Sequence, residues 1–110
     1  MSKLIDRFLS YVKIDTESVE EVECFPSTEK QKNLGTKLVE ELQELGATDV
    51  SMDEYGYVVA TIPATTTEEV PTIGFISHMD TAPAMSGANV KPRIVTNYDG
   101  KDIVLNQEKG

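Results

Sequence analysis

The chain has 110 residues, of which 39% are hydrophobic and 26% are charged, proportions typical of one small soluble globular domain. Its 19 acidic and 10 basic residues give a formal net charge of −9, which argues against a nucleic-acid partner because no stripe of Lys and Arg could displace phosphate counterions. No run approaches the ~20 apolar residues of a membrane span, and the N-terminus lacks a secretory signal, so we expect a cytoplasmic protein with no membrane partner.

The first predicted element is a short amphipathic helix. Apolar residues at helical spacing place it over residues 3–13, with Ser2 as its N-cap. Residues 15–23 are acidic and have no clear period, which indicates a solvated loop. Cys24 follows this loop, and its acidic neighbours disfavour the thiolate that a nucleophilic cysteine needs.

A second helix has the clearest start and stop signals in the chain. Thr28 and Gln31 fit a capping box at its beginning, and Gly46 provides the stop. Its apolar stripe consists of Leu34, Leu38, Leu42 and Leu45. This spacing predicts a helix that packs one face against a core.

The second half of the chain is predicted to be mainly β-structure. Short strands are expected at residues 48–52 and 57–62, with a turn between them. Residues 70–77 are apolar on both faces, as in a buried central strand. Residues 95–98 and 102–105 flank a turn sequence and suggest a hairpin. The order of two helices, three strands and a hairpin indicates an α/β layered domain.

The single histidine, His78, follows the apolar run, and Asp80 lies two positions later. Side chains alternate along a strand, so these two share a face while Ser77 and Met79 point away. A Ser77–His78–Asp80 triad is therefore disfavoured. The same geometry suits a metal-bound histidine that donates its other ring N–H to a carboxylate. The alternative, a strand-end histidine bonded to a loop carboxylate, stays open because zinc needs three or four ligands.

Longer sequence motifs resemble one enzyme family. The strings "GFISHMDTAP" (74–83), "SGANVKPRIVTNYDGKDI" (86–103) and "PSTEKQ" (26–31) are similar to the aminotripeptidase branch of the co-catalytic di-zinc metallopeptidases. The similarity extends over essentially the whole chain. The His-x-Asp pattern is shared by the wider family, whereas the longer strings are specific to the branch.

The resemblance implies that His78 is a zinc ligand and that Asp80 is a catalytic residue that supports it. It implies two zinc ions per full-length subunit and removal of the N-terminal residue from tripeptide substrates. Residues 1–110 would be the N-terminal portion of the zinc-peptidase catalytic domain. The remaining ligands, a catalytic glutamate pair and a domain that forms a homodimer would lie beyond them. We therefore expect the 110-residue chain alone to be inactive.

Two alternatives remain at this point. The first is another hydrolase of the di-zinc family, such as a dipeptidase or a deacylase. The second is a non-catalytic α/β module that binds a partner through its acidic face. Further Asp and His ligands after residue 110 would exclude the module.

Overall fold

A computed structural model describes residues 3–105 of the chain as a small α/β structure. Its elements are α1 (Lys3–Tyr11), α2 (Gln31–Glu44), β1 (Thr48–Met52) and β2 (Val58–Thr61). Both predicted helices and the first two predicted strands are therefore present. Within this part of the chain, no helix is long and apolar enough to cross a bilayer.

Helix α2 and the two strands form the packed part of the structure. The strands pair antiparallel, with Met52 opposite Val58, and one extra residue on β1 makes a bulge. Helix α2 contacts both strands. Gly35 permits this close approach, because a Cβ at that position would lie 2.5 Å from the Met52 sulfur. Leu34, at 8% exposure, is the sole buried hydrophobic residue among those the structure describes.

The turn between the strands is built by its own side chains. Asp53 Oδ1 accepts hydrogen bonds from the N–H groups of Tyr55, at 3.0 Å, and Tyr57, at 2.8 Å. Gly56 has a φ of +86°, a conformation that residues with a Cβ rarely adopt. The predicted turn is confirmed, and the Asp53 carboxylate is occupied in forming it.

Helix boundaries differ from the predictions at two points. Helix α1 ends at Tyr11 rather than at residue 13. The capping box is wrong, because α2 begins at Gln31 without a side-chain cap. The Thr28 hydroxyl instead donates to the Glu17 carbonyl oxygen and accepts from the Gln31 side chain. The predicted cap at Ser2 lies outside the described residues. The stop at Gly46, with φ +85°, is confirmed.

Two predicted β-elements do not form within residues 3–105. Residues 70–77 are not a buried strand, since Phe75 is 94% and Ile76 is 99% exposed. No hairpin forms over residues 95–105. The sheet in this range has two strands only, so the apolar segment has no neighbour to complete its hydrogen bonds or cover its faces. The fold class is confirmed as α/β, without the third strand.

Candidate metal centre

His78 and Asp80 contact each other directly. The distance from His78 Nδ1 is 3.0 Å to Asp80 Oδ1 and 2.9 Å to the Asp80 carbonyl oxygen. The His78 side chain is 84% exposed and that of Asp80 is 41% exposed. The pair therefore lies at the surface, directly after the exposed apolar segment, with the two side chains in contact.

These contacts determine which ring nitrogen is available to a ligand. Both neighbours of Nδ1 are oxygen acceptors, so Nδ1 must carry a proton to bond with either. In the neutral imidazole the lone pair is then on Nε2. A histidine arranged in this way can donate Nε2 to a metal ion while the carboxylate fixes the ring.

Met79, between His78 and Asp80, packs toward α2 while its two neighbours face solvent. It lines a largely apolar cavity of about 250 Å³ together with Leu34 and Thr16. Its terminal methyl group lies 3.7 Å from the point where a Cβ on Gly35 would be. The motif therefore presents its polar residues to solvent and its apolar residue to the surface formed by α1 and α2.

Thr81 connects the motif to the loop after α1. Its N–H donates to the Thr16 carbonyl oxygen at 3.1 Å, and its carbonyl oxygen accepts from the Ser18 N–H at 2.9 Å. Thr16 is only 2% exposed. The prediction of a solvated loop over residues 15–23 is therefore wrong for residues 15–18. No periodicity in the sequence could reveal this contact, because it joins distant segments.

The described residues do not assemble a complete metal site. Between residues 3 and 105, no group of three or more His, Cys, Asp and Glu side chains could hold a metal ion. Cys24 is exposed, and Asp53 is used in its turn. The donor chemistry nevertheless suits zinc, since an imidazole with a free Nε2 and an oriented Nδ1–H is a common zinc ligand. Other ligands would have to come from elsewhere.

Comparison with known proteins finds relatives that are named as a peptidase. No family model matches it. It is 62% identical over 109 residues to peptidase T of Halothermothrix orenii and 58% identical over 109 residues to peptidase T of Clostridium acetobutylicum. It is 56% identical over 110 residues to peptidase T of Caldanaerobacter subterraneus subsp. tengcongensis.

These alignments cover 99% or 100% of the chain but only 27% of each relative. The chain thus spans about a quarter of the length of the proteins it matches. The α/β chain with its His78–Asp80 pair matches one segment of these peptidase sequences. In particular, it corresponds to a fragment of peptidase T.

Proposed function

We propose that the chain belongs to a zinc-dependent aminopeptidase that releases the N-terminal residue from tripeptides. The observation that carries the proposal is identity of 54–62% over 99% of the chain to proteins named peptidase T. The contact between His78 Nδ1 and Asp80 supports it, because this contact leaves Nε2 free for a metal ion.

In this proposal, the Nε2 lone pair of His78 binds a zinc ion, and Asp80 is the catalytic residue that accepts the hydrogen bond from Nδ1–H. That bond holds the ring in one tautomer and raises the basicity of the ligating nitrogen. When bound, the zinc ions supply an acidified water and polarise the scissile carbonyl group. Exposure of the imidazole leaves room for other ligands and for a peptide substrate.

The remainder of the site is proposed to lie outside residues 3–105. One histidine cannot hold two zinc ions, and no second cluster of ligands occurs within that range. The longer protein would supply the other ligands, the general base and the surface for a homodimer in the cytoplasm. The 110-residue chain alone is accordingly expected to hydrolyse no tripeptide, even with added zinc.

The test uses the full-length protein that carries this chain. Zinc per subunit and the rate of tripeptide hydrolysis are measured for His78→Ala, Asp80→Ala and Asp102→Ala. His78→Ala should lose zinc and activity. Asp80→Ala should lower the rate by about 10–100-fold with a smaller loss of metal. Asp102→Ala is the control, since this exposed carboxylate is outside the pair.

Two results would contradict the proposal. Full zinc content and full activity in His78→Ala would exclude the residue as a ligand. Equal rates on a free tripeptide and on the same peptide with an acetylated N-terminus would exclude an aminopeptidase. Faster hydrolysis of dipeptides than of tripeptides would favour a dipeptidase of the same family.

A further inference from the structure

The backbone that follows Asp80 is held by a second segment of the chain. Thr81 and Glu17 form a short parallel bridge. Besides the two backbone hydrogen bonds of that bridge, the Ser18 hydroxyl donates to the Thr81 carbonyl oxygen at 3.1 Å. Thr81 is bonded to Asp80 covalently, so the position of residues 15–18 sets the direction in which the Asp80 backbone runs.

Residues 15–18 are in turn braced from the start of α2. Lys30 Nζ lies 2.9 Å from Asp15 Oδ2 and 3.9 Å from Glu17 Oε2. Asp15 Oδ1 also accepts the Glu17 N–H at 3.1 Å. The Lys30 ammonium, and next the Glu17 N–H, hold the pKa of Asp15 below its usual value. Thr28 donates to the Glu17 carbonyl oxygen at 2.8 Å.

Gly87 lies beside this contact between Thr81 and residues 15–18. A Cβ placed on Gly87 would lie 3.0 Å from the Thr81 hydroxyl oxygen and 3.4 Å from Asp15 Oδ1. A side chain at residue 87 would therefore push against both groups. Thr81 itself is exposed, but its hydroxyl group and the Asp15 carboxylate both lie close to the chain at Gly87.

The His–Asp pair itself has few other supports among the described residues. The hydrogen bonds of the His78 ring both go to Asp80. The direction of the imidazole therefore depends on Asp80, and the direction of Asp80 depends on the backbone at Thr81. Residues that fix Thr81 can control the pair without contacting it.

We propose that Lys30 is a positioning residue for the metal site: it holds residues 15–18 against Thr81 and so orients Asp80 and His78. The inference rests on the proposed function, because positioning matters only if His78 binds a metal ion. Removing the carboxylate partner of a metal-bound histidine typically weakens metal binding by about 10–100-fold. Lys30 acts one step further away, so we expect a loss of about 3–10-fold, below the range for a direct partner.

The test compares Lys30→Met with Lys32→Met in the full-length protein. Lys32 is a matched control, because its ammonium pairs with Glu29 in the same part of the chain and contacts nothing in residues 15–18. Zinc affinity is measured by competition with a chelator, and kcat and KM are measured with a tripeptide. Lys30→Met should weaken zinc binding and lower kcat with KM unchanged. Lys30→Arg should retain most of both, because the charge remains.

A double-mutant cycle tests whether Lys30 acts through Asp80. In an Asp80→Ala background, Lys30→Met should cause little further loss of zinc affinity, because the group that it orients is gone. Losses that simply add would overturn the inference. Asp15→Asn is a second route to the same answer if Lys30→Met does not fold, since the amide keeps an acceptor for the Glu17 N–H and loses the charge.

The outcomes separate the two proposals. If His78→Ala keeps its zinc, the proposed function itself fails. If His78→Ala loses zinc but Lys30→Met and Asp15→Asn match Lys32→Met in zinc affinity and kcat, only the positioning role is wrong. The positioning role is supported if Lys30→Met and Asp15→Asn both weaken zinc binding in the otherwise wild-type protein and cause no further weakening in the Asp80→Ala background.

Discussion

The hydrogen bond between Tyr11 and Glu41 helps to attach α1 to α2, and we expect this attachment to weaken at alkaline pH. The Tyr11 hydroxyl donates to Glu41 Oε2, which also accepts from Arg7 Nε. Lys37 Nζ lies 3.0 Å from Glu41 Oε1. Burial, and then the Glu41 carboxylate, raise the pKa of Tyr11 to about 12. We expect tyrosinate formation to break the contact between the two helices.

The direction of the pKa shift determines whether rising pH raises or lowers the free energy of unfolding. The folded pKa of Tyr11 is raised above its unfolded value of 10.0, so the folded protein holds this proton more tightly. The stabilisation is complete below the unfolded pKa and is lost as pH rises through the folded pKa. A shift of about two pKa units corresponds to at most about 2.7 kcal/mol. Because the site is partly solvated, we expect a loss nearer to about 1 kcal/mol.

The assay combines two measurements on the wild type, Tyr11→Phe and the control Tyr98→Phe. Tyr98 is 60% exposed and outside both helices. In a tyrosinate absorbance titration, Tyr11→Phe should remove the component near pH 12, and Tyr98→Phe should keep it. In urea unfolding, the free energy of unfolding should fall between about pH 8 and about pH 11.5. The fall should be about 1 kcal/mol larger for the wild type than for Tyr11→Phe. An equal loss in both proteins would refute the reasoning.

Two further predictions concern the packing of the small core. Leu34→Ala should lower the free energy of unfolding by about 2–3 kcal/mol, near the lower end for buried leucines because its side chain already borders a cavity. Leu45→Ala, at a leucine that is 64% exposed, should change it by less than about 0.5 kcal/mol. Gly56→Ala should lower the free energy of unfolding by about 1–2 kcal/mol, because an alanine is strained at the positive φ of this residue. Gly74→Ala should not lower it by this amount, since a Cβ there meets open space. Urea unfolding checks all four variants, and equal stabilities within either pair would contradict the corresponding argument.

Elements with local signals were predictable from the sequence. The leucine spacing of α2 and the glycine after it depend only on neighbouring residues, and the helix and its stop are confirmed. The predicted apolar stripe is wrong at Leu45, which follows the last helical residue and is 64% exposed. The turn between β1 and β2 is likewise formed by Asp53 and Gly56 within a few positions. The contact of His78 with Asp80 follows from the same local geometry. Its role in binding zinc stays a prediction.

Features that depend on distant partners were not predictable. The apolar pattern of residues 70–77 suits a central strand, but a strand forms only beside another strand, and none lies there within the described range. The Thr28 hydroxyl could cap a helix, yet the Glu17 carbonyl oxygen competes for it. Nothing in the sequence distinguishes Lys30 from the other charged residues, and only the three-dimensional structure shows its contact with Asp15.

The bridge between Glu17 and Thr81 also has a consequence for local dynamics. The hydrogen-bonded residues Ser18 and Thr81 are 63 positions apart. The three hydrogen bonds of the bridge contribute about 3 kcal/mol together, a small part of the stability of a whole fold. Because the contacts of α2 with the sheet do not include this bridge, its local opening would release the Asp80 backbone while α2 and the sheet stay folded. Any ligand that requires the closed form would order this corner of the molecule by mass action.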